Sequence, residues 1–342
     1  MKSKSEVTIY DVARALNISP STVSRGLKDH PHIRKETRDR IHAAATEMGY
    51  QRNKFASSLR KKRTETIGVV VPRLNSYFMA TAISGIENIT NKYGYGLIIS
   101  QSQESGRHEV SCISTLYNSR VDGVLVSLAY DTENLNHFNK LFNKEIPVVF
   151  FDRVADYHGC MSVIIDNFRA GYEVTSHLIN QGCRRIMHLG GSMLRNVYLE
   201  RFNGYKKALD DNGLEFESGL LLISELSNKS GREAAETIIS MKNRPDGIFA
   251  ANDTTAVTVI CELKKAGIDI PGEIAVAGFN NEPISQVVQP NLTTVDYPAM
   301  EVGEIAASSL INKLNNSERF NLSTIVVKHK LIIRESTLRK SP

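Results

Sequence analysis

The chain has 342 residues, which is too long for one small core and indicates two or three folding units. Its apolar content of 41% and charged content of 23% are ordinary for a soluble globular protein. No apolar run approaches the roughly 20 residues that span a membrane, and residues 1–6 lack the apolar stretch of a secretory signal. We therefore expect a cytoplasmic protein.

The net charge of +5 is unevenly distributed, because residues 1–63 carry a net charge of +9 and the remainder a net charge of −4. A small basic head on a mildly acidic body indicates a polyanion partner for the head, although a solvated charged surface would give the same numbers. The four cysteines lack paired spacing, and no Cys-x-x-Cys or His-x-x-x-His pattern occurs. We therefore expect a reducing compartment, no metal and no cofactor.

The first predicted elements are three short helices. Thr8 begins the first with a capping-box-like pattern, and Ser19 caps the second, with Pro20 at its first position. The second helix should run over about 20–28 and the third over about 34–48. The second helix exposes polar side chains that can bind phosphates or base edges, namely Ser21, Thr22, Ser24 and Arg25. This pattern predicts a DNA-binding helix-turn-helix, although a three-helix bundle without a DNA role would share it.

The next segment, residues 53–60, is long enough for about two helical turns and is followed by the basic linker 61–64. An isolated helix of this length is marginal in water. From the residues alone, a flexible tether is therefore the preferred interpretation.

The body alternates strands with helices from residue 66 onward. Strand–helix alternation indicates a parallel sheet with helices on both faces, and two such runs predict two similar doubly wound lobes. The predicted strands are 66–71, 97–100, 123–126, 147–151, 185–189, 219–222, 247–251 and 274–277. The helices between them include 79–93, 106–118, 167–181, 201–212, 231–242 and 254–266.

Polar and aromatic side chains recur where these strands end. Ligands of open α/β sheets bind beyond the carboxyl ends of the strands. Asn and Asp chelate vicinal hydroxyls and an aromatic face covers a sugar ring, so the set suits a carbohydrate or nucleoside. Each Asn or Asp taken singly could instead be a helix cap or a turn former. The residues concerned are Asn75, Tyr77, Phe78, Asp152, Arg153, Asn252, Asp253 and Asn280.

The amino-acid sequence of the head closely resembles that of the lactose/galactose-repressor family of bacterial transcription regulators. The motifs that carry the resemblance are 7–13 (VTIYDVA), 21–25 (STVSR), 36–38 (ETR) and 48–50 (MGY). The resemblance implies a dimeric, sugar-responsive regulator of a palindromic operator, with Pro20, Ser21 and Arg25 reading bases. It also implies that further residues contact or position the DNA backbone, namely Thr8, Ser19, Thr22, Ser24, His32 and Asn53. Two departures are Pro20, where many members carry a hydrogen-bonding side chain, and Arg34, which replaces a small cap.

The resemblance changes the interpretation of residues 53–60, which then match the family's hinge helix. Asn53 and Ala56 belong to its DNA-binding set, and Leu59 matches the apolar wedge that opens a central base step in the minor groove. Arg52 stands where the family usually has proline.

The body resembles the family's periplasmic-binding-protein-like core over its full length, including residues 151–153 (FDR) and 276–280 (VAGFN). The resemblance assigns Asp152, Arg201, Asn252 and Asn280 to an effector site between the lobes. For Arg201 an internal salt bridge is the alternative role. No leucine heptad follows residue 334, so we expect a homodimer and no tetramer-forming tail.

The predicted domains follow from this organisation: a helix-turn-helix domain at 1–51, a hinge and linker at 52–64, and a core of two lobes. The amino-terminal lobe is assigned 65–160 with 293–322, and the carboxy-terminal lobe 161–292 with 323–342. We predict chain crossings between the lobes near 159–163, 289–294 and 321–324.

These observations predict a sequence-specific repressor whose operator affinity is controlled by a carbohydrate-like effector. An enzyme is disfavoured because the sequence has no Gly-x-x-x-x-Gly-Lys-Ser/Thr, Gly-x-Gly-x-x-Gly or Gly-x-Ser-x-Gly motif. A solute-binding protein without DNA regulation fits the body alone, but the basic head and the missing signal peptide argue against it.

Overall fold

The computed structural model describes residues 7–50, 63–157, 159–315 and 324–339. Contacts divide the chain into two units, Met1–Thr64 and Glu65–Pro342, here called the head and the core. The predicted fold class, a helical head joined to an α/β core with parallel sheets, is confirmed. In the described part of the chain, no helix combines the length and apolar character needed to cross a membrane.

The head consists of α1 (Ile9–Leu16), α2 (Pro20–Gly26) and α3 (Lys35–Glu47). Its centre is a small apolar cluster in which Val12, Val23 and Ile41 are fully buried. A Cβ atom on Gly26 would clash with the Ile41 side chain, so glycine allows α2 to approach α3 closely. Helix α2 ends at Gly26, two residues earlier than predicted. Arg34 at the start of α3 makes no side-chain cap, as its departure from the family pattern suggested.

The strands of the core form two parallel sheets and one antiparallel pair among the described residues. The six-stranded sheet has the order β11-β5-β4-β3-β1-β2, the four-stranded sheet the order β7-β6-β8-β9, and β10 pairs with β12. The first strands are β1 (Thr66–Val71), β2 (Gly96–Gln101), β3 (Gly123–Val126), β4 (Val148–Phe151), β5 (Met161–Ile165) and β6 (Ile186–Gly190). The remaining strands are β7 (Leu221–Ile223), β8 (Gly247–Ala250), β9 (Ala275–Ala277), β10 (Thr294–Asp296), β11 (Thr324–Val327) and β12 (Lys330–Ile332).

Helices cover both sheets of the core. The six-stranded sheet with its helices is called the first lobe, and the four-stranded sheet with its helices the second lobe. The helices nearer the amino terminus are α4 (Tyr77–Lys92), α5 (Gly106–Asn118), α6 (Asn139–Phe142), α7 (Asn167–Asn180) and α8 (Asn196–Asp211). They are followed by α9 (Asn228–Ser240), α10 (Asp253–Lys265), α11 (Ile284–Val287) and α12 (Ala299–Asn315). Helix α12 packs on α4 in the first lobe, and α7 packs on α8 in the second.

Strand pairing corrects two of the expected lobe boundaries. Strand β5 pairs with β4, and β11 pairs with β5, so both lie in the first sheet. The sequence instead predicts that 161–292 and 323–342 belong to the other lobe. Because a β-branched run does not specify its hydrogen-bonding partner, the sequence could not show that these strands extend the edge of the first sheet. The chain leaves that sheet after Ile165, a few residues later than the predicted crossing at 159–163.

The parallel register brings the carboxyl ends of the first sheet to one edge. Val71 pairs with Gln101 and Phe151 pairs with Val163 within the one parallel sheet, so the loops after β1, β2 and β4 emerge at the same edge. In the second sheet, Leu189 pairs with Ala250 and Phe249 with Ala277, which aligns the loops after β6, β8 and β9. These two sets of loops carry the polar residues that the sequence analysis singled out.

Candidate functional site

Helix α2 presents a polar face to solvent while its apolar residues anchor it. Val23 and Gly26 are buried, whereas Ser21 and Arg25 are exposed. Pro20 opens the helix at its first position and is partly exposed, as are Thr22 and Ser24. The predicted base-reading residues therefore lie on the accessible side of the second helix of a helix-turn-helix, the helix that enters the major groove in this motif.

A hydroxyl network organises the start of α2. Ser19 Oγ accepts a hydrogen bond from the backbone N–H of Thr22 at 3.1 Å. The hydroxyls of Ser21 and Thr22 both lie 2.8 Å from Ser19 Oγ. Ser19 therefore acts as a helix cap, and it also orients two neighbouring hydroxyls on the face predicted to meet DNA.

The first helix of the head begins with a related contact. The backbone N–H and the hydroxyl of Thr8 donate to Asp11 Oδ2 at 2.9 and 2.6 Å. These hydrogen bonds, with a smaller contribution from Arg14, lower the pKa of Asp11. Tyr10, which the sequence analysis did not select, is 66% exposed on the same turn. His32 is exposed, and its backbone N–H donates to His30 Nδ1 at 3.3 Å.

The predicted hinge contacts Asn53, Ala56 and Leu59 lie outside the described residues. The hinge helix and its wedge therefore stay predictions.

The core contains a cavity of about 450 Å³ between the strand ends of the two lobes. This volume lies in the range of small-molecule sites. Most of the predicted effector residues line it, drawn from segments that are far apart in the sequence. They are Asn75, Tyr77, Phe78, Asp152, Arg153, Arg201, Asn252 and Asn280.

Asp253, the remaining predicted effector residue, does not line the cavity. Its side chain is fully buried, where Oδ1 accepts the Thr294 hydroxyl at 2.6 Å and Oδ2 accepts the Glu282 N–H at 2.7 Å. Burial raises the pKa of Asp253 to about 8. As the first residue of α10, its side chain turns away from that of Asn252, so Asp253 supports the cavity wall from behind.

Arg201 is the most enclosed cation of the cavity, with 3% of its surface exposed. Its Nε donates to Asn167 Oδ1 at 2.9 Å, and its Nη1 donates to the Ala251 carbonyl at 2.8 Å. The guanidinium lies 3.5 Å from the centre of the Phe279 ring. Burial lowers the pKa of Arg201. The alternative of an internal salt bridge is not realised among the described residues, because both hydrogen-bond acceptors are neutral.

Asp152 faces this arginine at the end of β4. Its φ of 58° is in the left-handed region, which Asp tolerates better than most residues. Burial raises the pKa of Asp152, whereas the charges of Arg153 and Arg201 oppose that shift. Its carboxylate accepts a hydrogen bond from the Ser127 hydroxyl at 3.4 Å. Asn280 also has a left-handed backbone, with φ of 106°. Such strained positions cluster at ligand sites.

A second arginine of the lining forms its own hydrogen-bond network. Arg153 donates to Glu104 at 2.5 and 3.3 Å and to the Tyr198 hydroxyl at 2.9 Å. Arg73 donates to the same carboxylate at 3.2 Å. Tyr198 belongs to the second lobe and the other three residues to the first, so the network connects the two lobes.

Aromatic and amide groups complete the lining. Phe78 is buried with its ring centre 4.5 Å from that of Tyr297, while Tyr77 is exposed beside it. Asn252 caps α10 by accepting the Thr255 N–H at 2.9 Å, and it donates to the Leu226 carbonyl at 2.8 Å. The alternative role of Asn252 as a helix cap is thus present together with its place in the cavity.

Other hydrogen bonds hold the lobes against each other beside the cavity. The Tyr130 hydroxyl donates to the Ser224 carbonyl at 2.6 Å. Asn196 accepts the Val154 N–H at 2.9 Å and donates to the Asp152 carbonyl at 3.0 Å. A ligand that changes the spacing of the lobes must therefore act against a defined set of polar contacts.

Several lining residues were missed by the sequence analysis. Glu104 lies in a turn after β2 that has no distinctive motif, and Glu282 follows the selected Asn280 by two positions. Tyr198 was missed because α8 begins at Asn196, five residues before its predicted start. Extending each strand-end window by a few residues would have found Glu282.

The head and the core are each similar to known protein domains. A family model described as "Bacterial regulatory proteins, lacI family" matches residues 8–53, and one described as "Periplasmic binding protein-like domain" matches residues 175–337. The HTH-type transcriptional regulator RegA of Clostridium saccharobutylicum is 32% identical over 334 residues, covering 97% of this chain and 99% of the relative. The chain belongs to the lacI family of bacterial regulatory proteins.

Two solved structures illustrate the lacI-family architecture. A complex of the transcriptional regulator CelR with cellobiose is 25% identical with a TM-score of 0.74, covering 97% of this chain and 100% of that one. The lac repressor dimer bound to operator and the anti-inducer ONPF is 23% identical with a TM-score of 0.88, covering 98% of this chain and 100% of that one. The second likeness shows the fold alone. Membership of the family makes the chain a DNA-binding, effector-controlled transcription regulator.

Proposed function

We propose that the chain is a repressor whose operator affinity is set by a carbohydrate bound in the core cavity. The cavity carries this proposal, because it combines hydroxyl-binding groups from both lobes with aromatic surface. Asp152, Asn252 and Asn280 suit vicinal hydroxyls, and Phe78 suits the apolar face of a ring. The complex of CelR with cellobiose supports the choice of a sugar.

The proposed DNA partner is a palindromic operator bound by a homodimer. In this arrangement two copies of α2 occupy successive major grooves, with Ser21 and Arg25 reading base edges. Thr8, Ser19, Thr22, Ser24 and His32 hold the backbone, and Asn53, Ala56 and Leu59 act in the minor groove. A dimer that covers this stretch excludes other proteins from it, which is the physical basis of repression. The proposed location is the cytoplasm, where the operator is accessible.

Effector control requires differential binding to two states of the core. A sugar held by Arg201 in the second lobe and Asp152 in the first favours one spacing of the lobes. Coupling energies of about 1–3 kcal/mol are typical and correspond to changes of about 5–150-fold in operator affinity.

The test begins with selection of the operator from random duplex DNA by the purified full-length chain. Operator affinity is then measured by fluorescence anisotropy with and without each member of a panel of sugars and nucleosides. We expect at least one sugar to change the affinity of the native chain. Arg201→Met should retain operator affinity without that response. A panel in which some sugar binds the core and none changes operator affinity would contradict the proposed control.

A further inference from the structure

Glu282 is a cavity-lining carboxylate with a fixed position. Its backbone N–H donates to the buried Asp253 at 2.7 Å, which holds the residue against the start of α10. Its Oε2 accepts the Thr254 hydroxyl at 3.1 Å, and the Asn280 side chain also hydrogen-bonds to the carboxylate. The side chain is only partly exposed, so its charge is presented to the cavity more than to bulk water.

No cation compensates this carboxylate in the part of the chain that the structure describes. None of the ion pairs there includes Glu282, whereas Glu104, another lining carboxylate, is shared by Arg73 and Arg153. Arg334 approaches the same region, but its guanidinium donates to Asn281 Oδ1 at 2.7 Å and to the Leu292 carbonyl at 2.8 Å. A carboxylate removed from water without a cation is unfavourable. Burial accordingly raises the pKa of Glu282.

The other charges of the lining do not remove this imbalance. Four carboxylates line the cavity, against three guanidinium groups. Asp152 lies in the field of both Arg153 and Arg201, and Glu225 is 74% exposed at its side chain, so water screens it. Glu282 is thus the lining carboxylate whose charge is neither paired nor well hydrated.

We propose that the effector carries a protonated amine, as in an amino sugar, and that Glu282 binds its ammonium group. This inference rests on the proposed function, because it names the chemical class of the ligand for that cavity. An ammonium group supplies the missing positive charge and donates up to three hydrogen bonds, which match the carboxylate and the amide oxygens of Asn252 and Asn280. The hydroxyls of the same sugar hydrogen-bond to the remaining polar groups of the cavity, and its ring packs on the Phe78 side chain.

A neutral sugar is the alternative occupant, with two of its hydroxyls donating to Glu282. The two ligand classes respond differently to Glu282→Gln. Glutamine keeps the size and one acceptor oxygen but loses the charge, so both ligand classes bind more weakly. The amine loses more than the hydroxyl sugar, because its charge–charge attraction disappears together with the hydrogen bond, and the preference for the amine therefore falls.

The experiment is calorimetric titration of the full chain with matched sugars at about pH 6.5, below the pKa of an aliphatic amine. The probes form two sets, each with an amino sugar, its parent sugar and its N-acetyl derivative. They are glucosamine, glucose and N-acetylglucosamine, and galactosamine, galactose and N-acetylgalactosamine. In at least one of the two sets, the native chain should bind the amino sugar at least tenfold more tightly than the parent sugar and the N-acetyl sugar. Glu282→Gln should weaken amine binding by about 10–100-fold, the loss of one charged hydrogen bond. Glu233→Gln, an exposed substitution on α9, is the matched control and should change nothing.

The outcomes separate this inference from the function on which it rests. If a hydroxyl or acetamido member binds as tightly as the amine and changes operator affinity, the amine inference is overturned and the sugar sensor stands. Amine binding that is unaffected by Glu282→Gln overturns the role of Glu282. If no probe binds the native chain, the amine inference is overturned. Failure of the wider sugar and nucleoside panel to change operator affinity then counts separately against the proposed function.

Discussion

The head and the cavity use polar side chains in opposite ways. In the head, Ser21 and Arg25 stand exposed on one short helix whose apolar residues are anchored elsewhere. In the cavity, Asp152 and Arg201 are 6% and 3% exposed, and separate strand ends bring them together. Substitutions of these two exposed side chains should therefore change DNA recognition without changing stability. Substitutions around the cavity should change ligand affinity and stability together.

The largest effect that sharpens this comparison is expected for Arg25→Ala. If Arg25 reads a base edge, specific binding should fall by about 1–3 kcal/mol in each half-site, while binding to random DNA falls much less. Both affinities are measured by anisotropy at one salt concentration. Arg14→Ala, an exposed arginine on α1, is the control and should affect both DNAs alike. Equal losses on operator and random DNA in Arg25→Ala would reduce its role to a phosphate contact.

Gly171→Ala is predicted to link packing and ligand binding in the core. A Cβ atom at this position of α7 would clash with the backbone carbonyl of Arg201 on α8. We expect the free energy of unfolding to fall by about 1–3 kcal/mol, the usual cost of overpacking, and ligand affinity to fall with it.

Gly219→Ala is the control for that substitution, because a Cβ atom at this position would point into open space and the backbone there is unstrained. Urea unfolding and calorimetric titration give the two quantities. Unchanged stability and ligand affinity in Gly171→Ala would show that α7 and α8 do not position Arg201 in this way.

Asp253 predicts a pH dependence of core stability. Its pKa is raised to about 8 in the fold, against about 3.9 in an unfolded chain, so folding retains a proton in this range. Stability should therefore fall as pH rises from 6.5 to 8, by up to about 1.4 kcal/mol per pH unit. His188, whose pKa burial lowers to about 3, is neutral in the fold but partly protonated in the unfolded chain near pH 6.5, so it adds an opposing slope that fades as the pH approaches 8.

Calorimetry across this pH range tests the prediction. Asp253→Asn should flatten the pH dependence of stability. A smaller slope should remain from Glu282, whose raised pKa acts in the same direction. The same slope in the native chain and in Asp253→Asn would assign the proton to another group.

The smallest effect is expected at the cap of α2. Ser19→Ala should destabilise the head by about 1 kcal/mol, whereas Ser19→Gly should cost only a few tenths, because glycine is tolerated at this position. Hydrogen exchange at the Thr22 amide reports the cap. If the hydroxyl also contacts DNA, both variants should lose operator affinity equally. A loss confined to Ser19→Ala would leave the cap as its entire role.

The sequence predicted the head more fully than the cavity, for a physical reason. Recognition by α2 depends on contiguous residues, so Ser19, Pro20 and Arg25 could be placed from helix caps and spacing. The cavity depends on which strands pair and where helices begin, as Tyr198 and the misassigned strands β5 and β11 show. The predicted strand ends still identified most of the lining residues that were selected from the sequence, because parallel sheets bring the carboxyl ends of their strands to one edge. They could not show that the side chain of Asp253 turns inward while that of Asn252 faces the cavity.

The central claim is that the cavity and the head share one coupling free energy, and reciprocity tests it most directly. A sugar that changes operator affinity by some factor must have its own affinity changed by the same factor when operator is bound. Titrating the full-length chain with that sugar, with and without saturating operator, measures this factor. We predict a shift of about 5–150-fold that equals the shift measured from the DNA side. An equal dissociation constant for the sugar in the presence and absence of operator would contradict the account.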